Sequence, residues 1–190
     1  MTCIVGLEAS DGRVIIGADS FVGNDVSSSI ESQPKCARRG ELIIAPGGSI
    51  RFAQILLHDV AYPDPQPGEE DEAFLYRCVE EMRKALSAAN YLDQDGDAGY
   101  GGEALIGYRG GLYRLGPDFG FFRHKRGYDA IGTGEQFALG SLHSTLAFDA
   151  HEKVRRALHA AAALSSQVRG PFDFIELPPA PKKPKSEPKE

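Results

Sequence analysis

Apolar, β-branched residues open the chain in two runs that are separated by a short polar break. The runs cover residues 2–7 and 13–18, and the break is Ser10-Asp11-Gly12. Because Asp-Gly is a strong hairpin signal, we predict two antiparallel strands joined by a tight turn. A two-residue loop would place Ile4 opposite Asp19. A three-residue loop would shift the register by one residue and move Asp19 to the other face of the sheet.

A glycine turn and two helices are predicted in the next part of the chain. Residues 42–45 form an apolar run that is followed by Pro-Gly-Gly. Ser49 can then cap a helix that extends to Val60. A second helix follows the acidic, Pro-rich residues 62–71, because its apolar positions recur every three or four residues. These positions are Leu75, Cys78, Val79, Met82 and Leu86.

Short strands and then two further helices are predicted for the rest of the chain. Gly-Gly and Pro-Asp turns separate four short apolar runs, a pattern that indicates a meander of strands. The runs are residues 103–108, 112–115, 119–123 and 128–131. Residues 136–146 suit a helix. Asp149 and Glu152 form a capping box for another helix, which runs towards Gln167, and residues 172–177 suit a final strand.

The length and composition of the chain indicate one compact domain. Of its 190 residues, 42% are hydrophobic, which is enough to bury one sizeable core. We assign that domain to residues 1–177. Residues 178–190 are nearly all Pro, Lys, Glu and Ser. So little apolar surface cannot offset the entropy lost on ordering, so we predict a disordered tail.

The charge and the cysteines argue against several classes of function. A net charge of −6 disfavours nucleic-acid binding, which requires an excess of clustered Lys and Arg. No apolar run reaches the roughly 20 residues that span a bilayer, and no signal peptide is evident, so we expect a cytoplasmic protein without membrane contact. The three cysteines form no CxxC pair and the five histidines have no metal spacing. We therefore predict no disulfide, metal or cofactor.

The second residue carries the most specific chemistry in the sequence. Thr2 follows the initiator Met1, which is ordinarily removed before a residue as small as threonine. The α-amine released in this way has a reference pKa of about 7.7 to 8.0, close to the pH at which a general base works best. It can accept the proton of the Thr2 hydroxyl and activate that hydroxyl as a nucleophile. A nearby cation, which Lys35 can supply, would lower the pKa of the amine.

The predicted hairpin offers a geometric reason to group Asp19 with these residues. In the register set by a two-residue loop, Thr2 and Asp19 share one face as diagonal neighbours, roughly 7 to 8 Å apart. A lysine ammonium can bridge that gap while the aspartate holds its charge. We therefore predict that Thr2, Asp19 and Lys35 form one site. Cys3 could act as nucleophile only if Thr2 were also removed, so we interpret it as a buried strand residue.

A family resemblance rests on segments that occur in the same order and with similar spacing. The segments around Thr2, Asp19 and Lys35 resemble the Thr, Asp and Lys segments of proteasome β-subunits and of the bacterial HslV peptidase. The glycine turn after residue 45 and the Ile-Gly-Thr-Gly segment at 131–134 resemble two further segments of that family. The residues that carry the resemblance are 2–6, 17–20, 45–49, 130–134 and 138–140.

The resemblance implies an α+β fold of the N-terminal-nucleophile (Ntn) hydrolase type, a four-layer αββα sandwich with antiparallel sheets. It implies that Thr2 is nucleophile and base, that Lys35 tunes the amine and that Asp19 orients Lys35. It further implies that the backbone amide of Gly47 stabilises the oxyanion. Thr133 takes the place of a serine that helps to position the amine in the family.

Two departures from the family pattern are visible. The family has an aspartate near the end of the last helix, followed three residues later by a serine. Here these positions are Ser165 and Val168. In this respect the chain looks nearer to HslV. Pro46 is unusual in the family's glycine turn.

The resemblance implies a threonine-type endopeptidase that hydrolyses peptide bonds through an acyl-enzyme. It also implies a closed homo-oligomeric ring with the active sites inside, unfolded polypeptide as substrate and an ATP-dependent unfoldase as partner. Two alternatives remain open. One is a ring-forming scaffold of the same fold without turnover, motivated by Ser165 and Pro46. The other is an Ntn amidase that acts on small amides.

Overall fold

The computed structural model describes residues 2–23, 28–92, 102–145 and 147–180. Met1 and residues 181–190 lie outside the described residues. The predicted removal of Met1 and the predicted disorder of this part of the tail therefore concern residues that the structure does not describe. Within the described ranges the chain forms eleven strands and four α-helices, which are numbered in chain order. None of these helices has the length and apolarity that crossing a membrane requires.

The N-terminal hairpin forms the centre of a four-stranded antiparallel sheet. The strands of this first sheet lie in the order β10 (Tyr128–Gly132), β1 (Cys3–Glu8), β2 (Val14–Asp19) and β11 (Phe172–Leu177). All of β2 is buried, and β1 is buried apart from its last residue. Such continuous apolar runs are typical of strands that are covered on both faces.

The loop between β1 and β2 has three residues. Ala9 N–H donates to Arg13 O (2.8 Å) and closes the loop. Gly12 has a φ of +87°, the left-handed conformation that a three-residue hairpin loop requires and that glycine adopts at low cost. Ile4 therefore pairs with Ala18. The register predicted from a two-residue loop is wrong by one residue.

The second sheet has five antiparallel strands. They are β5 (Ala37–Arg39), β6 (Leu42–Gly47), β7 (Glu103–Tyr108), β8 (Gly111–Leu115) and β9 (Phe121–Arg123), in that order, while β3 (Phe21–Gly23) and β4 (Ser28–Ile30) form a separate ribbon. The predicted meander is correct for β7, β8 and β9, but β10 crosses to the first sheet. Ala130 and Ile131 of β10 are fully buried on opposite faces of that sheet. A position beside the half-exposed edge strand β9 would not bury both.

Helices cover the outer face of the second sheet. Helix α1 (Ile50–Gln54) continues as a π-helical segment (Ile55–Asp59). Ser49 caps α1, as predicted, because its hydroxyl accepts from Phe52 N–H (3.1 Å). Helix α2 (Asp71–Ala88) buries all five apolar positions that the sequence pattern assigned to its inner face.

Two consecutive helices cover the outer face of the first sheet. They are α3 (Glu135–Ser144) and α4 (Ala150–Leu164). Asp149 caps α4, as predicted, by accepting from Glu152 N–H (3.1 Å). Helix α4 ends at Leu164, three residues before the predicted end, and Ser165 is already extended.

Apolar side chains hold the described chain in four layers. One core lies between α1, the π-helical segment, α2 and the second sheet, and another lies between α3, α4 and the first sheet. The two sheets face each other across a third core, which includes Ile4, Ile16, Ile43, Leu105 and Ile131. The α+β, four-layer αββα sandwich with antiparallel sheets that the sequence predicted is therefore confirmed.

Candidate active site

Thr2 lies immediately before β1, and the turn after β10 holds it there. The Thr133 hydroxyl donates to the Thr2 carbonyl oxygen (3.2 Å), and Gly134 N–H donates to the same oxygen (3.4 Å). Gly132 has a φ of +89°, and a Cβ at this position would overlap Thr2. Thr2 is 5% exposed as a result. The resemblance implied that Thr133 helps to position the α-amine of Thr2. In the structure, the Thr133 hydroxyl contacts the carbonyl oxygen of Thr2.

Asp19, the last residue of β2, is fully buried, and its carboxylate is surrounded by donors. Oδ1 accepts from Thr2 Oγ1 (3.0 Å), Cys3 N–H (2.9 Å) and Lys35 Nζ (2.8 Å), and Oδ2 accepts from the N–H groups of Phe21 (3.3 Å) and Arg169 (3.4 Å). A buried charge without such partners would cost several kcal/mol. These donors therefore make a carboxylate tolerable at this position.

Lys35 uses all three of its donors within the site. Nζ donates to Thr2 Oγ1 (2.9 Å), to Asp19 Oδ1 (2.8 Å) and to Phe21 O (2.7 Å). Its side chain is only 10% exposed. The ammonium is thus fixed beside the hydroxyl oxygen of Thr2 rather than free in solvent.

The structure brings Thr2, Asp19 and Lys35 together although the hairpin register is not the predicted one. Asp19 lies one residue beyond the last paired residues of β1 and β2. Its carboxylate reaches the backbone N–H of Cys3 and the hydroxyl of Thr2 around the end of β1. Thr2 precedes the strand, so the alternation of faces that the sequence argument assumed does not apply to its side chain.

A cleft of about 900 Å³ opens beside Thr2 and Lys35. Pro46 and Gly48 of the glycine turn line it, together with residues of α1 and of the π-helical segment. Gly47, the predicted oxyanion residue, lies between them, buried, as the last residue of β6. Strand β5 pairs only with residues 42–44 of β6, so Pro46, which has no N–H, lies beyond that ladder.

The segment after α4 contacts Asp19 through its backbone. Ser165, at the family's aspartate position, accepts from Gln167 N–H (3.2 Å), and Val168 is fully buried under the first sheet. In this segment it is the N–H of Arg169 that donates to Asp19 Oδ2. Sequence reasoning missed this contact because a backbone donor leaves no signature in the sequence.

Cys3 has the environment of a core residue rather than of a nucleophile. It is fully buried between the first sheet and the helices. Burial and the charge of Asp19 raise the pKa of its thiol to about 12, although Lys35 acts in the opposite direction. The thiol is therefore protonated at neutral pH and is a poor nucleophile.

Comparison with solved structures identifies the architecture. Two structures of BPH from Thiobacillus denitrificans, one of them in complex with epoxomicin, match with a TM-score of 0.78 and 22% identity over 94% of this chain and 99% or 100% of theirs. Eukaryotic HslV from Trypanosoma brucei matches with a TM-score of 0.71 and 18% identity over 93% of this chain and 99% of that chain. The chain has the proteasome-type Ntn-hydrolase fold.

The likeness to this proteasome-type fold is visible in structure rather than in sequence. No protein-family model and no curated protein matches the sequence. The structural match confirms the predicted resemblance to proteasome β-subunits and HslV. Among the described residues, no three His, Cys, Asp or Glu side chains are grouped so that they could hold a metal ion.

Proposed function

We propose that this chain is a threonine-type peptidase in which Thr2, freed by the removal of Met1, hydrolyses peptide bonds through an acyl-enzyme. The observation that carries the proposal is the contact of Lys35 Nζ with both Thr2 Oγ1 (2.9 Å) and Asp19 Oδ1 (2.8 Å). A fully buried aspartate and a lysine whose side chain is only 10% exposed are costly to place in a protein. Their convergence on one hydroxyl beside a cleft favours a catalytic over a structural role.

In the proposed reaction, the free α-amine of Thr2 takes the proton from Oγ1, and Oγ1 attacks the carbonyl carbon of the scissile bond. The amine then passes the proton to the leaving nitrogen, the C–N bond breaks, and an ester remains on Thr2. Water, deprotonated by the same amine, hydrolyses the ester and restores the hydroxyl. The positive charge of Lys35 disfavours protonation of the amine and stabilises the developing alkoxide.

Two further groups complete the proposed site. The backbone N–H of Gly47 stabilises the oxyanion of the tetrahedral intermediate. The position of Gly47 between Pro46 and Gly48, which both line the cleft, supports this assignment. Thr133 positions Thr2 through the hydrogen bond to its carbonyl oxygen.

The proposed substrate is unfolded polypeptide. The cleft of about 900 Å³ is at the upper end of the usual range for ligand pockets, which suits several residues of a peptide. The BPH structure with epoxomicin has the same fold, so we propose that this chain also binds epoxomicin. By the same likeness we propose a cytoplasmic homo-oligomeric ring, supplied with substrate by an ATP-dependent unfoldase. A monomeric mass in light scattering would contradict the ring.

Intact-mass spectrometry before and after incubation with a peptide epoxyketone tests the proposal. We expect the purified protein to lack Met1 and to gain the mass of one adduct, and we expect Thr2→Ala to gain none. An adduct on Thr2→Ala would place the nucleophile elsewhere. A protein that lacks Met1, is folded and gains no adduct would contradict the peptidase.

Experiments on the same purified protein distinguish the two alternatives. The scaffold alternative is favoured by Ser165, which leaves the site without the family's supporting aspartate. It predicts an assembled ring that the epoxyketone does not modify. The small-amide alternative is tested by substrate profiling, because cleavage of peptides without turnover of small amides excludes it.

A further inference from the structure

Glu103 joins the two sheets beside Thr2. It is the first residue of β7 and pairs with Gly47 within the second sheet, yet its side chain crosses to the first sheet. Oε1 accepts from Gly132 N–H (3.2 Å) at the end of β10, and Oε2 accepts from Arg114 Nη2 (2.7 Å). One carboxylate therefore connects the strand end that carries Gly47 with the turn that holds Thr2.

Gly132 transmits this connection to Thr2 by direct contact. Its φ of +89° brings its Cα so close to Thr2 that a Cβ would overlap the Thr2 carbonyl group. The next two residues, Thr133 and Gly134, donate to the same carbonyl oxygen. A shift of Gly132 therefore shifts the residue that carries the proposed nucleophile.

Arg114 holds the Glu103 carboxylate in its orientation. Its guanidinium also donates to Glu135 (3.0 and 3.3 Å) and lies 3.8 Å from the buried Asp129. Burial lowers the pKa of Arg114, but the hydrogen bonds to Glu135 and Glu103 outweigh burial and raise the pKa above its ordinary value. Arg114 is a permanent cation, and its carboxylate partners fix both it and Glu103 in place.

We propose that Glu103 is a positioning residue that sets the placement of Thr2 relative to Gly47. The inference rests on the proposed function, because it concerns the geometry of the attack by Thr2. Its essential feature is an acceptor for Gly132 N–H at the right distance, and the charge serves only to bind Arg114. A misplacement of about 1 Å can cost about 100-fold in rate, so kcat is affected more than KM.

Glu8 provides a matched control at the opposite end of the sandwich. It is the last residue of β1, and its Oε1 accepts from Leu112 N–H (2.8 Å) in the second sheet. Its two oxygens also accept from Arg123 (2.7 and 2.8 Å). It lies roughly 17 Å along β1 from Cys3. Loss of Glu8 therefore removes the same kind of crossing without reaching Thr2.

The test compares Glu103→Ala, Glu103→Gln, Glu103→Asp and Glu8→Ala for peptide hydrolysis, for the rate of epoxyketone addition to Thr2 and for Tm. We expect Glu103→Ala to lower kcat at least about tenfold with KM within about twofold of the original chain. Glu8→Ala is expected to lower Tm by a similar amount and to leave kcat unchanged.

The two conservative variants separate positioning from a merely structural ion pair. Glu103→Gln keeps the length of the side chain and one oxygen for Gly132 N–H, but its NH2 group then faces the Arg114 donor. Its kcat should therefore fall, but by less than in Glu103→Ala. Glu103→Asp keeps the charge but is one methylene shorter, so it should be as slow as Glu103→Ala. The opposite order, with Asp faster than Gln, would overturn the inference. This order decides the question even if Glu103→Ala does not fold.

Hydrogen exchange at the Gly132 amide provides a readout that does not depend on activity. We expect this exchange to be at least about tenfold faster in Glu103→Ala and unchanged in Glu8→Ala, where the Leu112 amide should exchange faster instead. If the original chain cleaves no peptide and gains no adduct, the proposed function fails. Hydrogen exchange at the Gly132 amide then remains as the test of the positioning role of Glu103. Equal Gly132 exchange in Glu103→Ala and the original chain would overturn the positioning role whatever the activity.

Discussion

The two ends of the sandwich are built alike but have different surroundings. At one end Glu8 crosses from the first sheet and accepts from Leu112 N–H; at the other end Glu103 crosses from the second sheet and accepts from Gly132 N–H. Each glutamate also binds an arginine. The Glu8 end finishes in the exposed hairpin loop, whereas the Glu103 end encloses a buried threonine and aspartate and a partly buried lysine.

The difference shows that an ion pair between the sheets does not by itself indicate a function. The Arg123 side chain at the Glu8 end is 49% exposed, and such pairs contribute about 1 kcal/mol or less. At the other end, Lys35 and Asp19 are 10% and 0% exposed, so both charges have lost most of their hydration. The two ends therefore differ in how far their charged side chains are removed from water, and this difference supports the proposed site at Thr2.

The largest effect is expected at the Glu103 end, from Thr2→Ala. Peptide hydrolysis should fall at least about 1,000-fold, because no hydroxyl remains to attack the substrate. Thr145→Ala is the matched control, since the Thr145 hydroxyl donates to Ser141 O (2.8 Å) and Leu142 O (3.5 Å) at the end of α3, away from Thr2. Its activity should be unchanged. Hydrolysis by Thr2→Ala at the original rate would remove the functional contrast between the two ends.

The next largest effect is expected on the free energy of unfolding. It is tested by comparing Lys35→Met with Arg123→Met. Lys35→Met leaves Asp19 buried without its cation, so the free energy of unfolding should fall by about 3 kcal/mol, and activity should be lost. Arg123→Met removes a half-exposed partner of Glu8 and should cost less than about 1 kcal/mol. Urea unfolding measures both. Equal costs would mean that desolvation does not distinguish the two ends.

Two glycines with positive φ extend the comparison. Gly132 (+89°) has Thr2 within overlap distance of any added Cβ, whereas the nearest atom to a Cβ at Gly127 (+69°) is Glu8 Oε2 at 3.5 Å. Gly127→Ala should cost about 1 kcal/mol from backbone strain alone. Gly132→Ala should cost about 1 kcal/mol more and should slow peptide hydrolysis, because Thr2 must move. Similar unfolding free energies and activities for the two variants would show that Thr2 is not held by this contact.

The smallest effect is expected from an ion pair that belongs to neither end, Arg77 with Glu69. Side-chain hydrogen bonds from Arg77 lower the pKa of Glu69 from 4.5 to about 2. Ionised Glu69 therefore stabilises the fold above about pH 4.5, and this contribution is lost as the pH falls towards 2. Glu69→Gln should slightly flatten the decline of unfolding free energy over that range, measured by urea unfolding, and leave kcat unchanged. A steeper decline would contradict this linkage.

Sequence reasoning recovered those parts of the candidate site that are side chains with unusual chemistry. Thr2, Asp19 and Lys35 could be grouped from residue types and order, and the structure brings them together. Glu103 was missed, because a glutamate that opens a strand is ordinary in a sequence and only its partner across the sheets makes it special. Arg169 was missed because its contribution is a backbone N–H.

The sequence by itself determined the local elements of this protein. The caps Ser49 and Asp149 and the buried face of α2 depend on residues within a few positions of one another, so their signals survive without tertiary context. Only the tertiary structure decided the hairpin register, the crossing of β10 to the first sheet and the reach of Glu103 to Gly132. The hairpin register is a choice between two loop lengths, and the other two are choices between partners far apart in the chain. All three are settled by the arrangement that lets both sheets bury their apolar faces and satisfy their buried polar groups at the same time.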